Sequence, residues 1–261
     1  MVYRLYWILS VLLTAVLDFV FPFLRPWSVP AVLAFFIALT ALSVLFLFLV
    51  SLFCYGKKPL SRDHRFCRVL AYHTMDFILC LFRFRVKGEN LDRIPSEPCV
   101  LVCNHLSRFD PMAIFVLQKG RRLAFVSKKE NMKIPIAGPI ISKIGFVSLD
   151  RENPLRAMRA IHAASKLVSE KGFSMGIFPE GTRSFGGELL EFKSGAFVMA
   201  KKAGVPLVIC RIRGTNEYKK NLPFGTTPIL VEVLETIPAE TVKEKKAEEL
   251  SDYCREAILK A

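Results

Sequence analysis

The first fifty-five residues carry only three charges, Arg4, Asp18 and Arg25. Two apolar stretches, Leu5–Leu24 and Val29–Tyr55, follow each other across an Arg25-Pro26-Trp27-Ser28 link. Helical at ~1.5 Å per residue, the second reaches ~40 Å, more than the ~30 Å of bilayer hydrocarbon. A cleaved signal peptide fits poorly, because its apolar core is about 7–15 residues with a small-residue cleavage site behind it. Lys57, Lys58, Arg62, Arg65 and Arg68 crowd after the second stretch. Such a flank stays cytoplasmic, and two crossings then leave the N-terminus there as well. Asp18 works against a full crossing, since a carboxylate at the centre of a span costs roughly 2.5–3.5 kcal/mol. A spanning hairpin and one that only enters the bilayer both fit. Residues 1–58 are thus expected to form a hydrophobic two-helix membrane anchor, and 59–261 the working domain.

Charge is concentrated behind the leader. The net charge is +14, and nearly all of it lies beyond residue 55. A basic domain behind an apolar leader points to an anionic partner, phospholipid headgroups or nucleic acid. The seven cysteines are odd in number and several sit in apolar runs, which fits buried thiols better than a disulfide framework. Cys99 and Cys103 bracket Val100-Leu-Val102, and a packed strand accounts for them better than a metal site.

Strand-like and helix-like segments alternate along the body. Strands are expected at Phe84–Val86, Cys99–Cys103, Leu123–Val126, Phe146–Leu149, Ser174–Phe178, Val205–Ile212 and Ile229–Leu234. Helices are expected at Phe66–Phe82, Pro111–Gln118, Leu155–Lys171 and Gly195–Ala203, with a charged, solvated terminal helix from Val242 to Lys260. This alternation predicts an α/β fold, a mixed, mostly parallel sheet flanked by helices.

Two short stretches carry chemistry. Asn104-His-Leu-Ser-Arg-Phe-Asp110 falls where a strand ends and a helix begins, the usual place for a site in an α/β fold. Histidine suits proton abstraction near neutral pH, and a carboxylate beside it fixes its tautomer. Residues five apart on one helix point about 140° away from each other, so His105 must precede the helix and Asp110 must curl back to it. Asp110 before Pro111 also reads as a helix cap. On spacing alone, a core histidine bonded to backbone fits His105 as well as a base does. Phe178-Pro-Glu-Gly-Thr-Arg-Ser184 has the makings of an anion site: Gly181 for close approach, Thr182 and Ser184 as donors, Arg183 as a two-pronged clamp. Taken alone, a solvated Glu180–Arg183 pair in a plain turn fits it better. Lys128, Arg151 and Lys193 occupy turn-like contexts, where a surface charge is the ordinary reading. The chain has no Walker loop, dinucleotide fingerprint, nucleophile elbow or zinc spacing, and no recognisable nucleic-acid motif.

Taken in order, these stretches resemble the glycerolipid acyltransferases typified by bacterial 1-acylglycerol-3-phosphate acyltransferase. Four blocks match: Asn104–Asp110; Lys128–Gly138 through Gly145–Arg151; Phe178–Ser184; and Gly204-Val-Pro-Leu-Val208. Asn131 stands where the second block commonly has leucine, which would alter a pocket wall. The resemblance implies His105 as base and Asp110 as its orienting partner. It implies Glu180, Gly181, Thr182 and Arg183 at the glycerol phosphate, Arg151 and Lys128 as further phosphate contacts, and Pro206 near the acyl region. It implies transfer from acyl-CoA or an acyl carrier protein thioester to lysophosphatidate, with backbone N–H groups near the helix start as oxyanion donors. No metal or bound cofactor is required. The expected location is the cytoplasmic membrane, the domain on its cytoplasmic face. Glycerol 3-phosphate or another lysophospholipid is an alternative acceptor. A non-catalytic membrane lipid-binding protein is an alternative class, and nucleic acid is not an expected partner.

Overall fold

The computed structural model describes residues 2–21, 27–54, 63–184 and 188–261. Arg25, Pro26, Lys57, Lys58 and Arg62, invoked above for the link and the basic flank, lie outside the described residues. A seven-stranded sheet organises the body: β1 (Phe84–Glu89), β2 (Val100–Cys103), β3 (Leu123–Lys128), β4 (Val147–Leu149), β5 (Ser174–Ile177), β6 (Leu207–Arg213) and β7 (Thr227–Ile237). Their order across the sheet is β1-β7-β6-β2-β5-β3-β4. The run from β6 to β4 is parallel, β7 pairs antiparallel with β6, and β1 runs parallel to β7. This is the mixed, mostly parallel α/β sheet that the alternation predicts.

Alternate side chains of the central strands enter two cores. Leu101, Cys103, Phe125, Val208 and Cys210 face α3 (Arg65–Leu81), α4 (Asp110–Leu117) and α5 (Ala137–Ser142). Val100, Val102, Ala124, Met175, Leu207 and Ile209 face α6 (Pro154–Lys171), α7 (Gly195–Ala203) and the C-terminal helix. The five cysteines of the first core, Cys54, Cys67, Cys99, Cys103 and Cys210, are all free thiols. Tyr218–Asn221 forms one turn, α8, before β7.

Three expectations change. The terminal segment is two helices, α9 (Ala239–Glu244) and α10 (Ala247–Lys260), rather than one. Lys201 Nζ takes up carbonyls of Val242 and Lys243 at the end of α9, and Glu249 accepts the Lys246 N–H to start α10. Nor is α10 merely solvated: Leu250, Cys254 and Ile258 are buried against α7 and β6. Arg68 is not a flank charge. Its guanidinium grips Asp63 at 2.7 Å and donates to the carbonyls of Leu123 and Ile144, pinning α3 to the sheet.

The leader forms α1 (Val2–Val20) and α2 (Ser28–Cys54). They pack on each other through a Tyr6 Oη–Ser43 Oγ bond of 2.7 Å and a Trp7–Phe36 stack. Asp18 is half-buried. The end of α2 docks on the body, with Cys54 Sγ 3.8 Å from Cys67 Sγ. The rest of α2 exposes large apolar side chains, among them Leu33, Ile37, Leu42, Leu45 and Leu49. By length and composition α2 is able to cross a bilayer; α1 is shorter.

Candidate active site

Because β6, β2, β5, β3 and β4 are parallel, their carboxyl ends share one edge of the sheet. That edge receives His105 after β2, Glu180 after β5, Lys128 at the end of β3, Arg151 after β4, and Thr215 after β6. Strands ~4.8 Å apart set the spacing, so β3 lies ~10 Å and β4 ~14 Å from β2.

Asn104 closes β2. Its side chain imitates a strand backbone, donating to Ile212 O at 3.0 Å and accepting Ile212 N–H at 2.8 Å. The chain then turns, and His105 is gripped from three sides. Its N–H donates to Glu180 Oε1 at 2.6 Å, its carbonyl accepts from Ser184 N–H at 2.9 Å, and its ring stacks on Phe178 at 4.3 Å. Its Nδ1 lies 2.8 Å from Asp110 Oδ2. With the carboxylate ionised, the proton belongs on Nδ1, which leaves Nε2 as the basic atom.

Asp110 is fully buried, at 0% exposure. Oδ2 also accepts the N–H groups of Leu106 (2.6 Å) and Ser107 (2.8 Å). Oδ1 accepts the hydroxyls of Ser107, at 3.3 Å, and Thr215. Asp110 is the first residue of α4, not its N-cap, and its carboxylate caps the preceding turn instead. Ser107 is turned inward onto Asp110. The N–H groups of Leu106, Ser107, Phe109 and Asp110 all have partners within this turn. These four N–H groups are therefore engaged within the turn rather than open to an oxyanion.

Thr215 is the site residue that sequence reasoning missed. It has no motif of its own. Gly214 before it takes φ +89°, and a Cβ there would collide with Pro228 O, so glycine is what lets the chain leave β6 and turn back under Asp110. A Gly-Thr pair at the end of a predicted parallel strand was the available signal.

Glu180 is 3% exposed, with Oε1 on His105 N–H and Oε2 on Leu190 N–H at 3.1 Å. Burial raises its carboxyl above the ordinary value, and the two N–H groups pull the other way. Gly181 turns the chain at φ +72°, where a Cβ would press on the Lys193 stem at 3.1 Å. Thr182 is exposed and Arg183 half-buried in the same turn. Lys128 is exposed and 3.5 Å from Glu130; Arg151 is exposed in the turn after β4. Asn131, also exposed, bonds Ser127 Oγ at 2.8 Å. Pro206 lies at the far end of β6, where its carbonyl accepts Val100 N–H. The seven residues of β6 put it ~23 Å from the edge bearing His105, so it starts a strand and does not border the site.

An α/β sheet with a buried carboxylate holding a histidine at its carboxyl edge is the layout of an enzyme, not of a charge-driven binder. The sequence profile of the Acyltransferase family matches residues 83–213, from the start of β1 to the end of β6, and the chain belongs to that family. A chloroplastic 1-acyl-sn-glycerol-3-phosphate acyltransferase of Brassica napus is 38% identical over 149 residues, 56% of this chain and 42% of that one. The chain thus spans about two fifths of the length of that relative. The human 1-acyl-sn-glycerol-3-phosphate acyltransferase alpha is 28% identical over 257 residues, 97% of this chain and 89% of that one. The crystal structure of the 1-acyl-sn-glycerophosphate (LPA) acyltransferase of Thermotoga maritima superposes with a TM-score of 0.61 at 27% identity, covering 74% of this chain and 77% of that one.

Proposed function

We propose that the chain transfers a fatty acyl group from a thioester to the free hydroxyl of 1-acylglycerol 3-phosphate, giving phosphatidate. The observation that carries this reading is the 2.8 Å His105–Asp110 contact on a carboxylate with no exposure. His105 Nε2 takes the hydroxyl proton as the oxygen attacks the thioester carbonyl. Asp110 holds the tautomer and stabilises the imidazolium. The tetrahedral intermediate collapses, the C–S bond breaks, and the thiolate leaves with the proton from Nε2. Products are the ester and a free thiol. Transfer is direct, because Ser107 Oγ is committed to Asp110.

Glu180 is a positioning residue in this reading: both its oxygens hold backbone, one of them at His105 itself. Thr182 and Arg183 take the acceptor phosphate over the open backbone of Gly181, and Lys128 and Arg151 extend the same positive flank. The α1–α2 hairpin enters the cytoplasmic membrane through its exposed apolar face and brings the domain, on the cytoplasmic side, to an acceptor that lies in the bilayer.

The test is acyl transfer by purified protein in detergent. Oleoyl-CoA or the oleoyl acyl carrier protein is offered with lysophosphatidate, glycerol 3-phosphate or lysophosphatidylcholine, beside His105→Ala. Phosphatidate from lysophosphatidate alone, and only with wild type, is the expected result. Transfer to another acceptor replaces the substrate. Equal turnover by His105→Ala overturns the mechanism, and folded protein inert toward every pair leaves a lipid binder.

A further inference from the structure

The hairpin and the body of the protein enclose a cleft of about 790 Å³ beside β1, the edge strand opposite β4. α1 brings Leu5 and Ile8 to it, α3 brings Leu79 and Cys80, and α4 brings Val116 and Leu117. None of the candidate active-site residues lines it, and β1 stands three strand spacings from β2, ~14 Å. Its volume falls within the roughly 300–1,000 Å³ of small-ligand sites. The surroundings are apolar as well. Leu81, next to Cys80, is 60% exposed, and Phe224, just before the lining Thr226, is 87% exposed. Leu5 and Ile8 are themselves exposed. The cleft thus opens where the bare apolar surface of the hairpin runs onto the body, and a ligand that reaches it comes from the bilayer.

Polar groups of both signs stand among the apolar walls. Arg83 is fixed at the turn from α3 to β1. Its N–H donates to Cys80 O at 2.9 Å, its carbonyl accepts Thr227 N–H at 3.0 Å, and its Nε donates to Gly225 O at 2.9 Å. The turn holds Arg83 at φ +56°, a left-handed conformation that residues other than glycine seldom adopt and that recurs at ligand sites. Arg85 lines the cleft from the edge strand. No carboxylate among the described residues pairs with either arginine. Against them stand Asp76, one turn before Cys80, and the carboxyl ends of α3 and α4 at Leu81 and Leu117. Helix ends of that kind carry partial negative charge.

A simple anion is attracted by one set of groups and repelled by the other, and so is a simple cation. A zwitterion satisfies both. Asp76 and Arg83 are separated by about the last turn and a half of α3, ~8 Å. The phosphate and ammonium of an ethanolamine or choline headgroup are about four bonds apart, ~5 Å, and a polar contact at each end makes up the difference. Resting on the reading of α1–α2 as a hairpin that enters the membrane, we propose that this cleft seats a zwitterionic glycerophospholipid of the bilayer. Its phosphate lies on Arg83 and Arg85, its ammonium on the Asp76 side, and one acyl chain between α1 and α4. This lipid joins hairpin to body and is neither donor nor acceptor of the acyl group.

Cys80 supplies the readout, because it lines the cleft and is the one exposed thiol of the seven. The full chain in dodecyl maltoside micelles is treated with a maleimide while dioleoyl phosphatidylethanolamine, phosphatidylcholine or phosphatidylglycerol is titrated in. The two zwitterionic lipids are expected to slow labelling of Cys80 saturably, at a mole fraction about tenfold lower than phosphatidylglycerol requires. Arg83→Gln should raise the half-protecting fraction about tenfold for all three, as loss of one bond to a charged group implies. Asp76→Asn should reverse the order and make phosphatidylglycerol the best of them, an exchange that a merely structural aspartate would not produce. Ile8→Trp fills the cleft from α1 without touching either charge, and should label at one rate whatever lipid is present. Labelling that no lipid slows, a wild type that prefers phosphatidylglycerol, or protection that survives Ile8→Trp each overturns the proposal. The KM for lysophosphatidate should be the same in wild type and Arg83→Gln; a rise gives the cleft to the acceptor and also overturns it. Failure of the hairpin reading shows separately, as protein that does not float with liposomes, while labelling in micelles still decides the cleft.

Discussion

Replacing Thr215 with valine keeps the shape of the side chain and deletes one hydroxyl from beneath the His105–Asp110 pair. Asp110 has no exposure, so no solvent replaces the lost donor. Oδ2 keeps its three contacts with His105 Nδ1 and the N–H groups of Leu106 and Ser107. Oδ1 keeps only Ser107 Oγ, at a long 3.3 Å. A hydrogen bond to a charged group contributes ~1.5–3 kcal/mol, and a buried acceptor left short costs about as much. Taking ~2 kcal/mol, the thermal midpoint of a chain of this size falls by ~4–8 °C. Expressed wholly at the chemical step, the same energy is about 30-fold in kcat, so a fall between about 3-fold and 30-fold is expected. KM values should hold, since Thr215 touches Asp110 and not the cationic flanks. The assay pairs thermal unfolding in detergent with steady-state transfer, and Thr215→Ser, which retains the hydroxyl, should recover most of both losses. If Thr215→Val melts and turns over like wild type, or if Thr215→Ser is as impaired as valine, Thr215 does not hold Asp110 in place.

Three further changes probe other parts of the molecule. Burial raises the Glu180 carboxyl above its unfolded value, so the folded state holds the proton more tightly and stability is lost as pH climbs from the unfolded value, about 4.3, through the raised one. Relative to Glu180→Gln, wild type should therefore lose unfolding free energy as pH rises across that window; a gain with pH contradicts the assignment. Leu250→Ala empties a fully buried position in α10 and should cost ~2–5 kcal/mol in unfolding experiments, where a solvated helix would give less than about 0.5 kcal/mol. Arg183→Ala should raise the KM for lysophosphatidate about tenfold or more with kcat and donor KM little changed, and an equal effect on an acceptor without phosphate would remove the clamp.

The sheet was legible because its strands alternate with amphipathic helices, and each of the seven apolar runs became a strand. β1 extends further than its alternating core, through Lys87-Gly-Glu89, because β7 pairs with it along that whole length. What local patterning does not carry is the partner. Arg68 reads as one more positive charge behind an apolar stretch until α3 folds it onto Asp63 and the carbonyls of Leu123 and Ile144. The terminal segment reads as charged because its buried residues, Val242, Ala247, Leu250, Ser251, Cys254 and Ile258, are scattered among many lysines and glutamates. Its break at Lys245–Lys246 depends on Lys201, some forty residues away.

The same distinction runs through the site. His105 and Asp110 are close in sequence, so their pairing follows from one turn and was available to a reader of the chain. The contacts that make the pair rigid are not local. Glu180 reaches His105 from the end of β5, Thr215 reaches Asp110 from the end of β6, and Asn104 ties β2 to β6 by imitating a strand. All three act on backbone or on buried carboxylate, so their chemistry is invisible until the strands are placed side by side. Parallel strands supply this at little cost in sequence, because every strand end arrives at the same edge. A histidine held from three neighbouring strands cannot drift without breaking sheet-end contacts, and that ties the geometry of the proposed proton transfer to the stability of the fold. It also explains why Glu180, in the same turn as Arg183, faces away from solvent: with both oxygens on backbone, it fixes where His105 stands, and the proposed phosphate contact falls to Arg183.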